Sequence, residues 1–246
     1  NGKQTENISG YGDTKTSITP KKQPLNDTNT HFINNLEWTI YPDGTVVCQS
    51  VLLPRGNPLE LLRLGYELQL PANMGNVTYY GRGPEENYAD RKSGMPLGVY
   101  KTTARDSFFP YGRPQDCGNH EDTRWVAVTD DKGQGLLFGS VGAPFAFSAI
   151  PYTTTDLILA NHPVELPKTT DKTVLVLSSA TRGLGGASCG PGPMSRDIIK
   201  ANKPYPLSFF MRPVTSKSYK GEIRVPAAQL DMTMLTRTDK YTVKSV

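Results

Sequence analysis

What most constrains this chain is the rhythm of its apolar residues. Short runs of period two recur along it, separated by Gly, Pro, Asn and Asp at the ~8–12-residue spacing of sandwich strands. Alternation sends successive side chains to opposite faces, so each run can bury one side of a pleated strand. The runs are Leu36–Tyr41, Thr45–Leu53, Leu61–Leu70, Asn76–Tyr80, Thr123–Thr129, Gly135–Gly139, Phe145–Ile150, Thr173–Leu177 and Tyr205–Arg212. Pro42-Asp43-Gly44 joins the first two as a hairpin, and Asp130–Gly133 precedes the sixth. The stretch Gly81–Gly98 is polar, punctuated by Gly and Pro, and reads as a long loop. Thr153–Leu159 has room for one helical turn. This pattern predicts an all-β sandwich and argues against a parallel α/β sheet.

Composition agrees. Gly 23 and Pro 20 in 246 residues imply many turns and few long helices, and twelve Tyr favour strands. The 37% hydrophobic content is enough for one large β domain with a core, or for two small domains. The predicted organisation is a polar leader or linker over 1–35, a sandwich over 36–213 and a C-terminal extension over 214–246. The extension holds weaker strand candidates at Gly221–Val225 and Tyr241–Val243. The net charge of +4 is interspersed, so no nucleic-acid groove is expected. No run of ~18 apolar residues suggests a membrane span, and no signal peptide is visible. Cys48, Cys117 and Cys189 lack metal-ligand spacing. They are expected as buried or half-buried thiols forming at most one disulfide, and they do not fix the compartment.

Two polar constellations carry the candidate chemistry. Tyr80–Arg91 crowds Arg82, Glu85, Glu86, Asn87, Tyr88, Asp90 and Arg91 behind the turn Gly81–Pro84. It is either a loop that grips sugar hydroxyls with bidentate polar groups and an aromatic face, or an ion-pair corner that satisfies itself. Arg113–Trp125 brings Asn119, His120 and Arg124 to the start of a strand. His120 among acids is either a general acid or base, or a hydrated surface histidine. Glu85-Glu86 are sequence neighbours, and on an extended strand neighbours face opposite ways, so they do not form a glycosidase carboxyl pair.

These same segments resemble a known family. YYGRGPEENYADR resembles the GxGPxExYxDR signature of the C-terminal domain of large bacterial β-galactosidases, in glycoside hydrolase family two. RPQDCGNHEDTRW resembles that family's RPQENGxRxDxRW element. FSAIPYT, LANHPVELPK, GLGGASCGPGP and YPLSFFMRPV follow in the family's order, so the resemblance covers Trp38 to Pro213. It implies an antiparallel β-supersandwich, galactose mutarotase-like, that packs against a catalytic barrel and lends a wall to the galactose pocket. The catalytic glutamates of that family reside on the barrel, and nothing in this sequence reads as βα repeats. The resemblance therefore implies no catalytic residue and no metal in this chain, although such enzymes often carry Mg or Na on other domains.

The departures are specific. The first portion of the family domain, with its RAPTDND-like motif, has no counterpart, and residues 1–35 stand in its place. The family's GVGGDDSWGPGP loop here runs Gly183–Pro193 without its two Asp and its Trp. Trp125 sits in a predicted strand and is expected in the core. The candidate carbohydrate or interface residues are Arg82, Glu85, Asn87, Tyr88, Asp90 and Arg91 in the principal loop, Asn119, His120 and Arg124 on a neighbouring edge, and His162 on a strand close to it. Arg82 and Arg91 are expected to pair with acids there or across an interface. The expected role is a non-catalytic scaffold whose partner is the catalytic barrel. A free-standing carbohydrate-binding module uses the same loops. An aldose 1-epimerase is the third reading, from the Asn161-His162 pair.

Overall fold

The computed structural model describes residues 15–18 as a strand, and residues 30–42, 44–56, 60–186 and 189–215. The strands are β1 (Lys15–Ile18), β2 (His31–Ile40), β3 (Val46–Arg55), β4 (Arg63–Pro71), β5 (Asn76–Arg82) and β6 (Leu97–Thr103). They continue with β7 (His120–Thr123), β8 (Trp125–Thr129), β9 (Gly135–Ser140), β10 (Phe145–Ile150), β11 (Lys172–Thr181) and β12 (Tyr205–Val214). One helix, α1 (Thr154–Leu159), follows β10. Every described strand pair is antiparallel.

The strands form an eight-stranded sheet, in the order β1-β2-β3-β12-β9-β8-β5-β6, and a four-stranded sheet, β4-β11-β10-β7. The two join through one apolar layer, which is why period-two alternation was readable. Val77 and Tyr79, Val126 and Val128, Phe138, and Leu207 and Phe209 face it from the large sheet. Leu70, Phe145, Phe147, Leu175 and Leu177 meet them from the small one. Burying side chains of this size contributes about 1.5–3 kcal/mol each.

The central strands are also apolar on their outer faces. Trp125, Ala127, Leu137 and Phe210 form a second cluster on the far side of the large sheet. Trp125 is 1% exposed, so it belongs to the core. Behind the small sheet, α1 seats Leu157 on Ile150, Cys117 and Leu166. Thr153 caps α1 with a capping box: its side chain accepts from Asp156 N, and the Asp156 carboxylate accepts from Thr153 N.

Several boundaries differ from the sequence reading. β2 begins at His31 rather than Leu36, because His31–Asn35 extend the ladder against Val51–Arg55 of β3, where alternation carries no signal. β1 lies within the stretch read as a leader, paired to β2. The long polar loop is shorter than expected, since β5 runs to Arg82 and β6 starts at Leu97. At the first hairpin, Gly44 takes φ +80°, the left-handed backbone that the turn signal requires. Cys48 and Cys117 are buried free thiols, but Cys189 is exposed because it sits at the tip of a Gly/Pro loop with no strand to cover it. The strand candidates at 221–225 and 241–243 lie outside the described residues.

Candidate functional site

The principal loop leaves the end of β5 and is fastened by its own side chains. Arg82 donates from Nε to Asp122 Oδ2 at 2.5 Å, and from Nη1 to the carbonyls of Lys92 at 3.2 Å and Met95 at 2.9 Å. Lys92 Nζ donates to the other Asp122 oxygen at 3.0 Å. Asp122, in β7, has φ +53°, a left-handed conformation that Asp tolerates better than most residues. Burial pushes its carboxyl up, but the bonds and charges of Arg82 and Lys92 outweigh that, so its pKa lies below the ordinary value. Its carbonyl accepts from Arg124, whose guanidinium lies 5.6 Å from the Tyr80 ring centroid.

Asn87 is fully buried and acts as a staple. Its Nδ2 donates to the carbonyls of Arg82 and Glu85, both at 3.0 Å, and its Oδ1 accepts from Glu121 N at 2.8 Å. Asn119, equally buried, exchanges with it: Asn87 N donates to Asn119 O, and Asn119 Nδ2 donates to Asn87 O, each at 2.7 Å. Glu86 accepts from Tyr111 and Tyr88 hydroxyls and from Gly118 N at 2.7 Å. Burial first, then Asp116 and Glu86, push the Tyr88 hydroxyl's pKa upward. Burial and the Glu86 bond push Tyr111 up to about 12. Both phenols therefore act as donors, not bases.

Asp90 and Arg91 reach the glycine-rich loop. The Asp90 carboxylate accepts from Leu184 N at 3.0 Å and Gly185 N at 2.7 Å, and Arg91 donates to Gly185 O at 2.5 Å. Within the described residues Arg91 thus meets a carbonyl rather than an acid of its own loop. Glu85 is exposed.

His120 is not a surface histidine. It is 4% exposed, between the rings of Tyr79 and Phe147 at centroid distances of 4.4 and 5.2 Å. Its Nδ1 lies 3.0 Å from Arg82 O and 3.1 Å from the Tyr79 hydroxyl. A carbonyl can only accept, so Nδ1 carries the proton. Burial pulls its pKa down to about 4, against a smaller upward effect of the Arg82 carbonyl.

His162 stands apart from the set. It is not on a strand, because Pro163 turns the chain into the 3-10 turn Pro163–Glu165. Its ring, 70% exposed, bonds only to Glu165, at 2.9 Å. The structure therefore brings together Arg82, Asn87, Tyr88, Asn119, His120 and Arg124, with Asp90 and Arg91 one step outward. Sequence reasoning missed Asp122, Lys92, Tyr111 and Glu121 as partners. Asp122 was within the quoted motif, whereas Tyr111 gave no signal at all.

Two clefts, of about 500 and 490 Å³, lie elsewhere. The first is bounded by Leu62, Arg63 and Ile158, and the second by Asn76, Arg105 and Asp131; neither is lined by a candidate residue. Among the described residues no group of three His, Cys, Asp or Glu could hold a metal ion.

The family model described as β-galactosidase small chain matches residues 3–211. The chain belongs to the β-galactosidase small-chain family. Its relatives are informative about scale. A protein named β-galactosidase BgaC from Bifidobacterium adolescentis is 43% identical over 147 residues, covering 58% of this chain and 14% of that protein. A β-galactosidase of Priestia megaterium is 34% identical over 179 residues, 72% of this chain and 17% of that protein. A β-galactosidase small subunit of Latilactobacillus sakei is 40% identical over 132 residues, half of this chain and 41% of that protein. The chain thus spans only 14–17% of the longer relatives. The matched range takes in both polar constellations and the glycine-rich loop, so the small-chain family resides in the segments whose geometry is described above.

Proposed function

We propose that this chain is a non-catalytic wall of a β-galactosidase, presenting its principal loop as a rim of a galactose site formed with a larger catalytic part. The observation that carries the reading is that three acids of the loop and its neighbouring strand, Glu86, Asp90 and Asp122, are already committed, while Glu85 points to solvent. Glu86 serves Tyr88, Tyr111 and Gly118, Asp90 serves the glycine-rich loop, and Asp122 serves Arg82 and Lys92. Retaining hydrolysis needs two carboxyls about 5–5.5 Å apart, one free to protonate the leaving oxygen and one to attack. The Asp90 and Asp122 carboxylates, bonded by backbone and cationic donors, are held ionised and do neither. What such a network does supply is a pre-formed polar edge that costs little to order when a partner or a sugar arrives.

The test is assembly. The purified chain alone is expected to leave a chromogenic galactoside intact, and co-expression with the catalytic part from the same reading frame is expected to give activity. Cleavage by the chain alone, or full activity of the catalytic part without it, would overturn the proposal. Calorimetry of the isolated chain with galactose or lactose is expected to be silent, and a clear isotherm would favour a carbohydrate-binding module.

A further inference from the structure

We infer that Asp90 and Arg91 are a positioning pair, a two-residue clamp that sets the conformation of the first limb of the glycine-rich loop, residues 183–186, beside the principal loop. The inference rests on the galactose-rim reading for its consequence, but the clamp itself stands on the geometry. The two side chains take both polar groups of one residue some 95 positions away: Asp90 Oδ2 receives Gly185 N at 2.7 Å, and Arg91 holds Gly185 O at 2.5 Å. The other Asp90 oxygen receives Leu184 N at 3.0 Å. Two successive backbone N–H groups converging on one carboxylate form an anion-binding concavity, here filled by the protein's own side chain.

The loop is built for that approach. A Cβ on Gly183 would lie 2.8 Å from the Asp90 carboxyl carbon and 2.9 Å from Asp197 Cβ, so only glycine lets the carboxylate come in. Gly185 has φ +60°, and a Cβ there would lie 2.5 Å from the backbone of Gly192. The limb is thus folded back on itself and open to the clamp. Further bonds fix its edges, from Gly183 N to Asp197 O at 2.7 Å and from Gly186 N to Pro191 O at 2.8 Å. Burial pushes the Asp90 carboxyl up, but the Gly185 and Leu184 N–H groups and the Arg91 charge outweigh it, so the clamp is an anion at neutral pH.

No residue of the apolar layer takes part, so the clamp is separable from folding. Leu184, 37% exposed, is the one side chain on the four-residue limb, and the loop's position is delegated to the dipeptide. A rim fixed in this way would favour sugar binding over the chemical step.

Asp90→Ala and Arg91→Gln in the full chain test this by amide hydrogen exchange. Exchange at Leu184 and Gly185 is expected to accelerate about tenfold or more in Asp90→Ala, since each lost bond is a charge-assisted one. Asp90→Asn, which keeps the shape but not the charge, is expected to lie between, and the urea midpoint is expected to stay put. Unchanged exchange at both amides in Asp90→Ala would overturn the clamp. In the assembled enzyme, the expected signature is a several-fold higher KM with kcat nearly unchanged. Faster exchange with an unaltered KM would leave the clamp standing and sink the galactose-rim reading instead.

Discussion

His120 is an imidazole held neutral by its burial in the apolar layer between two aromatic faces. The pH consequence has a definite sign. The unfolded chain takes up a proton near the ordinary value of about 6.5, whereas the folded chain resists until about 4. Between those values the unfolded state binds more protons, so stability is full above pH ~6.5 and falls as the pH drops. The loss across the window is about 3 kcal/mol. Urea midpoints measured from about pH 7 down to about 4 should show it, and His120→Gln should flatten the slope. An equal slope in the variant would remove His120 from the account. Acids flanking His120 drew it into the candidate set, but its burial depends on Tyr79 and Phe147, which no local pattern connects to it. The crowding of Arg82, Asn87 and Tyr88 was legible. Their partners were not, because Asp122, Asn119 and Asp116 arrive from a segment some 28 to 40 residues away.

At the level of elements, alternation was a good guide wherever one strand face meets the core. β3, β4, β5 and β8 to β12 all fall within a few residues of their runs. β6 was read partly as loop and otherwise left unassigned, for a physical reason. It is an edge strand with Leu97 and Val99 exposed at 42% and 60%, and Pro96 and Gly98 punctuate it, so no burial period was written into it. β7 reads His-Glu-Asp-Thr and has no apolar side chain to announce it. The single helical turn was legible because Thr153 and Asp156 form a start signal. That signal makes a prediction. A six-residue helix has little intrinsic stability, so its N-cap decides whether it closes over Ile150 and Cys117. Thr153→Ala should cost about 1 kcal/mol. It should speed amide exchange at Leu157 and Ala160, whose N–H groups bond back to Thr153 O and Asp156 O. A loss below the measurement error with unchanged exchange would mean that packing alone holds α1.

For the whole molecule, the decisive fact is that two sheets share one apolar layer, and the ring of Phe209 ties them. It is 1% exposed and meets Trp38 and Phe138 of the large sheet at centroid distances of 6.1 and 6.4 Å. Across the layer it meets Tyr66 of the small sheet at 6.5 Å. The two-layer architecture was implied by the spacing of the runs, but which strands pair was not, since order β1-β2-β3-β12-β9-β8-β5-β6 brings the last strand beside β3 and β9. That non-local pairing makes β12 the seam on which the large sheet closes, and Phe209 the residue at which the seam meets the second layer. Phe209→Ala should therefore cost about 4 kcal/mol, because rings from both layers line the void and cannot all collapse into it. Phe209→Leu keeps most of the volume and should cost under about 1.5 kcal/mol. Urea unfolding checks both: the midpoint should fall with an unchanged slope, as one cooperative unit requires. If Phe209→Ala instead split the transition in two, the sheets would be separate folding units and the shared layer would not be what joins them.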